Sequence, residues 1–102
     1  MFDMFNKLRE AQKLMDESKA RLENIYVEAD AENGKVIVTA NGNKKIKQIS
    51  INEVLIKEGD KEKIEELVVL AVNKAIEKAD KIFESEMKGM TKGIFPNFTG
   101  LF

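Results

Sequence analysis

Hydrophobic positions in the last third of the chain recur at intervals of three and four: Ile64, Leu67, Val68, Ala71, Val72, Ala75, Ile76, Ala79, Ile82 and Phe83. That spacing gathers side chains onto one side of a 3.6-residue helix and predicts a helix over residues 60–87. At about 100° per residue the ten positions fan over an arc of about 180°, whereas a stripe packed on a single sheet needs little more than about 100°. Something else is expected to cover the excess. The chain's own first helix is one candidate; for so short a chain a second copy is the favoured one.

Residues 3–24 carry another helical pattern, with a period nearer 3.5. Met4, Leu8, Ala11, Met15, Ser18, Leu22 and Ile25 step by four and three, as in a packed helix pair. Ala11 and Ser18 supply little burial, so this helix is expected to need a partner. A homodimer built on the two apolar faces would use Leu8, Ala11, Met15 and Leu22 from the first helix and Leu67, Val72, Ile76 and Phe83 from the last.

Between the helices the period drops to two. Ile25, Val27, Ala29 and Ala31 share one face and Tyr26, Glu28 and Asp30 the other, which predicts a strand with one wet face. Glu32-Asn33-Gly34 and Asn41-Gly42-Asn43 are hairpin signals, and they bracket a strand over 35–40 with Val36 and Val38 inward. A third strand follows over 45–51, with Ile49 and Ile51 on one face. A three-stranded antiparallel meander flanked by two long helices makes the fold class α+β. Residues 52–59 read as a connector with a short apolar anchor, Val54-Leu55-Ile56. Asp60 is placed to cap the last helix, and Glu62, Glu65 and Glu66 suit its positive dipole end. After Met87 the period is lost, and residues 88–102 read as an irregular tail rich in Gly and Phe with the one Pro. The whole chain, 1–102, is expected to be a single domain.

Charge and chemistry narrow the function by exclusion. Seventeen basic and eighteen acidic residues leave a net charge of −1, so bulk electrostatics does not single out nucleic acid and any anion site must be local. Lys63, Lys74, Lys78 and Lys81 form a ridge beside an acidic one on the last helix, and Lys7, Arg9, Lys13, Lys19 and Arg21 stud the first. The absence of His and Cys removes the usual general base, nucleophile and transition-metal ligands, so no enzyme, cofactor or metal is expected. No apolar run reaches the length of about 20 residues that a membrane span needs, and the N-terminus lacks a signal-peptide pattern. What remains is a surface that binds.

Three stretches carry a resemblance to a known family: Lys35-Val-Ile-Val-Thr-Ala-Asn-Gly42, Ile46-Lys-Gln-Ile-Ser-Ile51, and Ile64-Glu-Glu-Leu-Val-Val-Leu-Ala-Val-Asn-Lys-Ala75. With Met87-Lys-Gly-Met-Thr-Lys-Gly93 and the order of elements, they make the chain similar to the YbaB/EbfC nucleoid-associated proteins. The resemblance implies an α-β-β-β-α protomer, a homodimer with projecting helices, and non-catalytic binding of double-stranded DNA in the cytoplasmic nucleoid. It further implies a role in chromosome organisation and gene regulation, with no membrane or small-molecule partner. Carried over by element and charge, the DNA contacts would be Lys7, Arg9, Lys13, Arg21, Lys74, Lys78 and Lys81. Lysine-led contact suits the DNA backbone more than base edges. The alternative is a dimeric adaptor that binds another protein through its apolar helix faces and aromatic tail.

Overall fold

Six elements follow in chain order: helix α1 (Phe2–Glu23), strands β1 (Tyr26–Ala31), β2 (Val36–Asn41) and β3 (Ile46–Ile51), a short helix α2 (Glu53–Glu58) and helix α3 (Lys61–Ile94). They are seen in a computed structural model, which describes residues 2–94 and the side chains of residues 3–90. The α+β class and the meander match the sequence expectation, with strands in the order β1-β2-β3. Asp60 caps α3 as expected, its Oδ1 accepting the Lys63 N–H at 3.2 Å.

Cross-strand partners in an antiparallel pair share a face. Ala29 lies opposite Val38 and Ala31 opposite Val36, while Val36 and Val38 lie opposite Ile51 and Ile49. One face of the sheet is therefore apolar throughout. Helix α3 crosses it with Ala71, Ala75 and Ala79, every fourth residue, all fully buried. A lone methyl at each position lets the helix backbone come close to the strands. The helix lies over β1 and β2 and barely touches β3. Ile49, on the same face as Val38, is accordingly 44% exposed.

The second hairpin turn does more than reverse the chain. Asn41 Oδ1 accepts the N–H groups of Asn43 and Lys45 at 3.0 and 3.2 Å. Asn43 Nδ2 donates to Lys19 O and to Glu23 Oε2. Gly42 N–H bonds the carbonyls of Leu22 and Ile25 at 3.0 and 2.9 Å. The turn thus clasps the C-terminal end of α1. Leu22 is fully buried there, inside one chain, so it has no surface to give a dimer interface where the sequence placed it.

Two elements differ from expectation. Residues 52–59 hold a helical turn instead of a bare connector: Asn52 Oδ1 accepts the Val54 N–H at 2.8 Å, and Gly59, at φ 72°, closes the helix with its N–H on Ile56 and Leu55 carbonyls. Of the expected anchor only Leu55 is buried; Val54 and Ile56 are half exposed. Helix α3 also runs past Met87 to Ile94. Gly89 disfavours a helix by about 1 kcal/mol relative to Ala, a cost that packing against α1 can offset. The remaining apolar ending, expected to dock on the body or a partner, lies outside the described residues.

Helix α1 packs antiparallel along the distal half of α3, and burial fades toward its start: Ser18 is 1% exposed, Leu8 64% and Met4 71%. The pair projects as an arm. A radius of gyration of 18.9 Å compares with about 13 Å for a compact chain of this length.

Gly42→Ala tests the clasp, because a Cβ there would meet Leu22 Cδ2 at 2.7 Å and Leu22 O at 2.9 Å. The substitution is expected to lower stability by about 1–3 kcal/mol in urea unfolding, and an unchanged midpoint would show that the end of α1 yields freely.

Candidate nucleic-acid interface

The expected DNA contacts separate into two groups once their surroundings are seen. Lys7, Lys13 and Lys81 are exposed and make no ion pair or hydrogen bond among the described residues, and Arg9 lies 5.7 Å from the centroid of the Phe5 ring. These four belong to the arm. The other three are occupied: Arg21 pairs with Glu86, Lys74 Nζ donates to Asp30 O at 3.3 Å, and Lys78 Nζ donates to Glu28 O at 2.7 Å.

The extension of α3 adds a cation that the sequence reading had left in an irregular tail. Lys88 is helical, exposed and unpaired among the described residues, and with Lys81, Glu84, Ser85 and Gly89 it lines a shallow concavity of about 400 Å³. Lys81 and Lys88 are seven residues apart, so they share a flank about 10 Å apart along the axis. Only the longer helix could have revealed the pair. Counting residues 2–23 and 81–94, the arm holds Lys7, Arg9, Lys13, Lys19, Arg21, Lys81, Lys88 and Lys92 against Asp3, Glu10, Asp16, Glu17, Glu23, Glu84 and Glu86, a local charge of +1. Since the whole chain carries −1, the rest carries −2.

The joint of the arm is tied electrostatically. Arg21 Nε donates to Glu86 Oε1 at 3.0 Å and its Nη2 to Ser18 Oγ at 3.0 Å. Hydrogen bonding from Arg21 holds the Glu86 carboxyl below its ordinary value of 4.5, partial burial opposing it. The Asn43 amide does the same for Glu23, helped by the charges of Lys45 and Lys47. Nearer the sheet, Glu32 and then Glu58 raise the Lys63 ammonium above its ordinary value.

A separate apolar strip lies on the β3 side. Lys44, in the β2–β3 turn, sits 4.4 Å from the Phe83 ring centroid and 3.4 Å from Asp80, which orients that flank of α3 toward β3. Val69, Val72 and Ile76 share the flank by helical spacing. With Ile46 at 37%, Ile49 at 44% and Val69 at 60% exposure, the strip is largely open. Val72 and Ile76 were among the expected dimer residues; Ile46, Ile49 and Val69 were not, because only the offset of α3 across the sheet uncovers them. Leu67 and Phe83 are half-buried within the chain, as are Ala11 and Met15 on α1, and Leu8 is exposed on the arm.

The described residues form a small α+β body carrying a two-helix arm with exposed, unpaired lysines. The chain belongs to the YbaB/EbfC DNA-binding family, whose sequence profile matches residues 1–94. That is a family of DNA-binding proteins, not of enzymes. The chain is 32% identical over 101 residues to a nucleoid-associated protein of Flavobacterium johnsoniae, covering 99% of this chain and 93% of that one. It is 38% identical over 104 residues to a nucleoid-associated protein of Thermoanaerobacter pseudethanolicus, covering 99% and 92%. An uncharacterized protein of Helicobacter pylori shares the fold at a TM-score of 0.77, with 17% identity over 85% of this chain and 91% of its own. Among the described residues there is no cluster of acidic side chains fit for a metal ion, and no helix long and apolar enough to cross a membrane.

A carboxyl whose pKa is lowered by folding adds stability above its unfolded value and loses it as pH falls through the folded one. For Glu86 the docking of α1 should therefore hold at neutral pH and loosen as pH drops below 4.5. Amide exchange along α1 is the readout. Glu86→Gln is expected to weaken this acid dependence and to speed exchange at neutral pH; the same acid profile in the variant would remove Glu86 from the joint.

Proposed function

We propose that this chain binds double-stranded DNA as a nucleoid-associated homodimer, contacting phosphates through Lys7, Arg9, Lys13, Lys81 and Lys88 of the arm. The observation that carries the reading is the distribution of charge: in a slightly acidic protein most of the exposed, unpaired cations lie on one projecting element, with Lys47 and Lys57 the exceptions on the body. Such a patch attracts DNA locally even where the net charge repels it. Two arms in a homodimer would present the patch twice about a twofold axis. The apolar strip of Ile46, Ile49, Val69, Val72 and Ile76 supplies the surface for that pairing. Lysines neutralise phosphates without reading bases, and Arg9 is the arm's one arginine not held in an ion pair, so shape and backbone should outweigh sequence. In the cell this places the protein in the cytoplasmic nucleoid, helping to organise the chromosome and through it to influence gene expression.

The test is a salt series on a labelled duplex of about 30 base pairs. The logarithm of affinity should fall linearly with the logarithm of salt, by about 0.9 for each phosphate neutralised. Lys13→Glu with Lys81→Glu should flatten the slope by about two units, and unlabelled duplex of scrambled sequence should compete equally. Wild-type affinity and slope in the double variant would move the contact away from the arm.

A further inference from the structure

We propose that residues 95–102 fold back over the start of α1 in the same chain, cover the apolar tip formed by Met4, Phe5 and Leu8, and so hold Lys7 and Arg9 in place on the arm. Met4 is 71%, Phe5 63% and Leu8 64% exposed. By helical spacing Met4 and Leu8 continue the stripe of Ala11, Met15 and Ser18, which is half-buried to buried where α1 packs on α3. They lie on the packing side of the helix and are nonetheless bare.

The register of the two helices gives the reason. Arg21 Nε meets Glu86 Oε1 at 3.0 Å, which sets the level at which the antiparallel pair is joined. From Glu86 to its last residue, Ile94, α3 advances about 12 Å. The same distance along α1 from Arg21 reaches only Lys13. Helix α1 runs on past that level to Phe2, about 16 Å further, and every side chain over residues 3–10 is exposed. The tip is bare because α3 stops short of it.

The sequence that leaves α3 at this level suits the gap. Residues 95–102 include Phe95, Phe98, Leu101 and Phe102 and no charged side chain, in a chain that is 34% charged. Extended, these residues reach about 27 Å, more than the length of α1 to be covered. Burying Phe, Leu and Met side chains against one another removes apolar area from water, which drives the contact. Attachment to the end of α3 decides the occupant: a segment tethered this closely acts at a local concentration of millimolar order, which a second copy at micromolar concentration does not match. Arg9 lies 5.7 Å from the centroid of the Phe5 ring, so a segment that fixes the ring also fixes the guanidinium beside it. The consequence for DNA rests on the function proposed above; the docking itself does not.

The docking is tested without DNA, by nuclear Overhauser contacts in full-length protein mixed from labelled and unlabelled copies. Contacts within one copy are expected from the Met4 and Leu8 methyl groups to the rings of Phe95, Phe98 or Phe102. Phe98→Ser with Leu101→Ser should abolish them and speed amide exchange over residues 3–10 several-fold, while exchange over residues 14–22 keeps its wild-type rate. Missing contacts, or contacts found only between copies, overturn the proposal, as does exchange over residues 3–10 that the double variant leaves unchanged. Affinity for a 30-base-pair duplex, of about the length used above, then tests the hold on the cations: the variant should bind several-fold more weakly, and wild-type affinity in it overturns that hold. A wild type that binds no duplex sinks the DNA reading instead, and the contacts then decide the docking by themselves.

Discussion

The close approach of α3 to the sheet is the constraint on which the rest of the molecule depends. Ala71, Ala75 and Ala79 bring the helix down onto Ala29, Ala31, Val36 and Val38 with almost no side-chain thickness between them. A larger residue at any of the three would lift the helix and cost the packing of its neighbours. Because the contact is tight, the helix can cover only the two strands beneath it. The third strand, and the α3 flank that faces it, are left open as a direct result.

A core of this kind is small. Leu22, Leu55, Val36 and Val38 are its largest fully buried apolar side chains, and the chain spreads to an extent of 66 Å along its longest axis. An extended chain with an open apolar strip gains by burying that strip, since transfer of apolar area from water is the main favourable term in association. Lys74 and Lys78 occupy the carbonyls of Asp30 and Glu28 on β1, which gives the two edges of the sheet different character.

Charge is organised on the same plan. Most basic residues near the body are paired there, Lys47 and Lys57 excepted: Arg21 with Glu86, Lys44 with Asp80 and Phe83, Lys63 with Glu32 and Glu58. Those at the distal part of the arm are left unpaired. Surface ion pairs of the first kind contribute little stability each, but they determine which cations are available. A count of charges over the whole chain conceals this, because it adds the paired and the free.

Much of this was legible in the sequence. The change of period from about 3.5 to 2 and back to 3.6 fixed the order of elements, the turn residues fixed the hairpins, and Asp60 marked the start of α3, because these features depend on neighbours in the chain. The arc of ten apolar positions on α3 announced a surface larger than one sheet could cover. The sequence could not say which part stays open, since that depends on where α3 lies across the strands. Nor could it separate Lys74 and Lys78 from Lys81, or Leu22 from Leu8. Each pair shares a helix and a residue character, and differs only in what the distant parts of the chain bring beside it: the carbonyls of β1 in one case, the Asn41-Gly42-Asn43 turn in the other. Local periodicity determined what the elements are; contacts between residues remote in sequence decided which of their side chains are free to act.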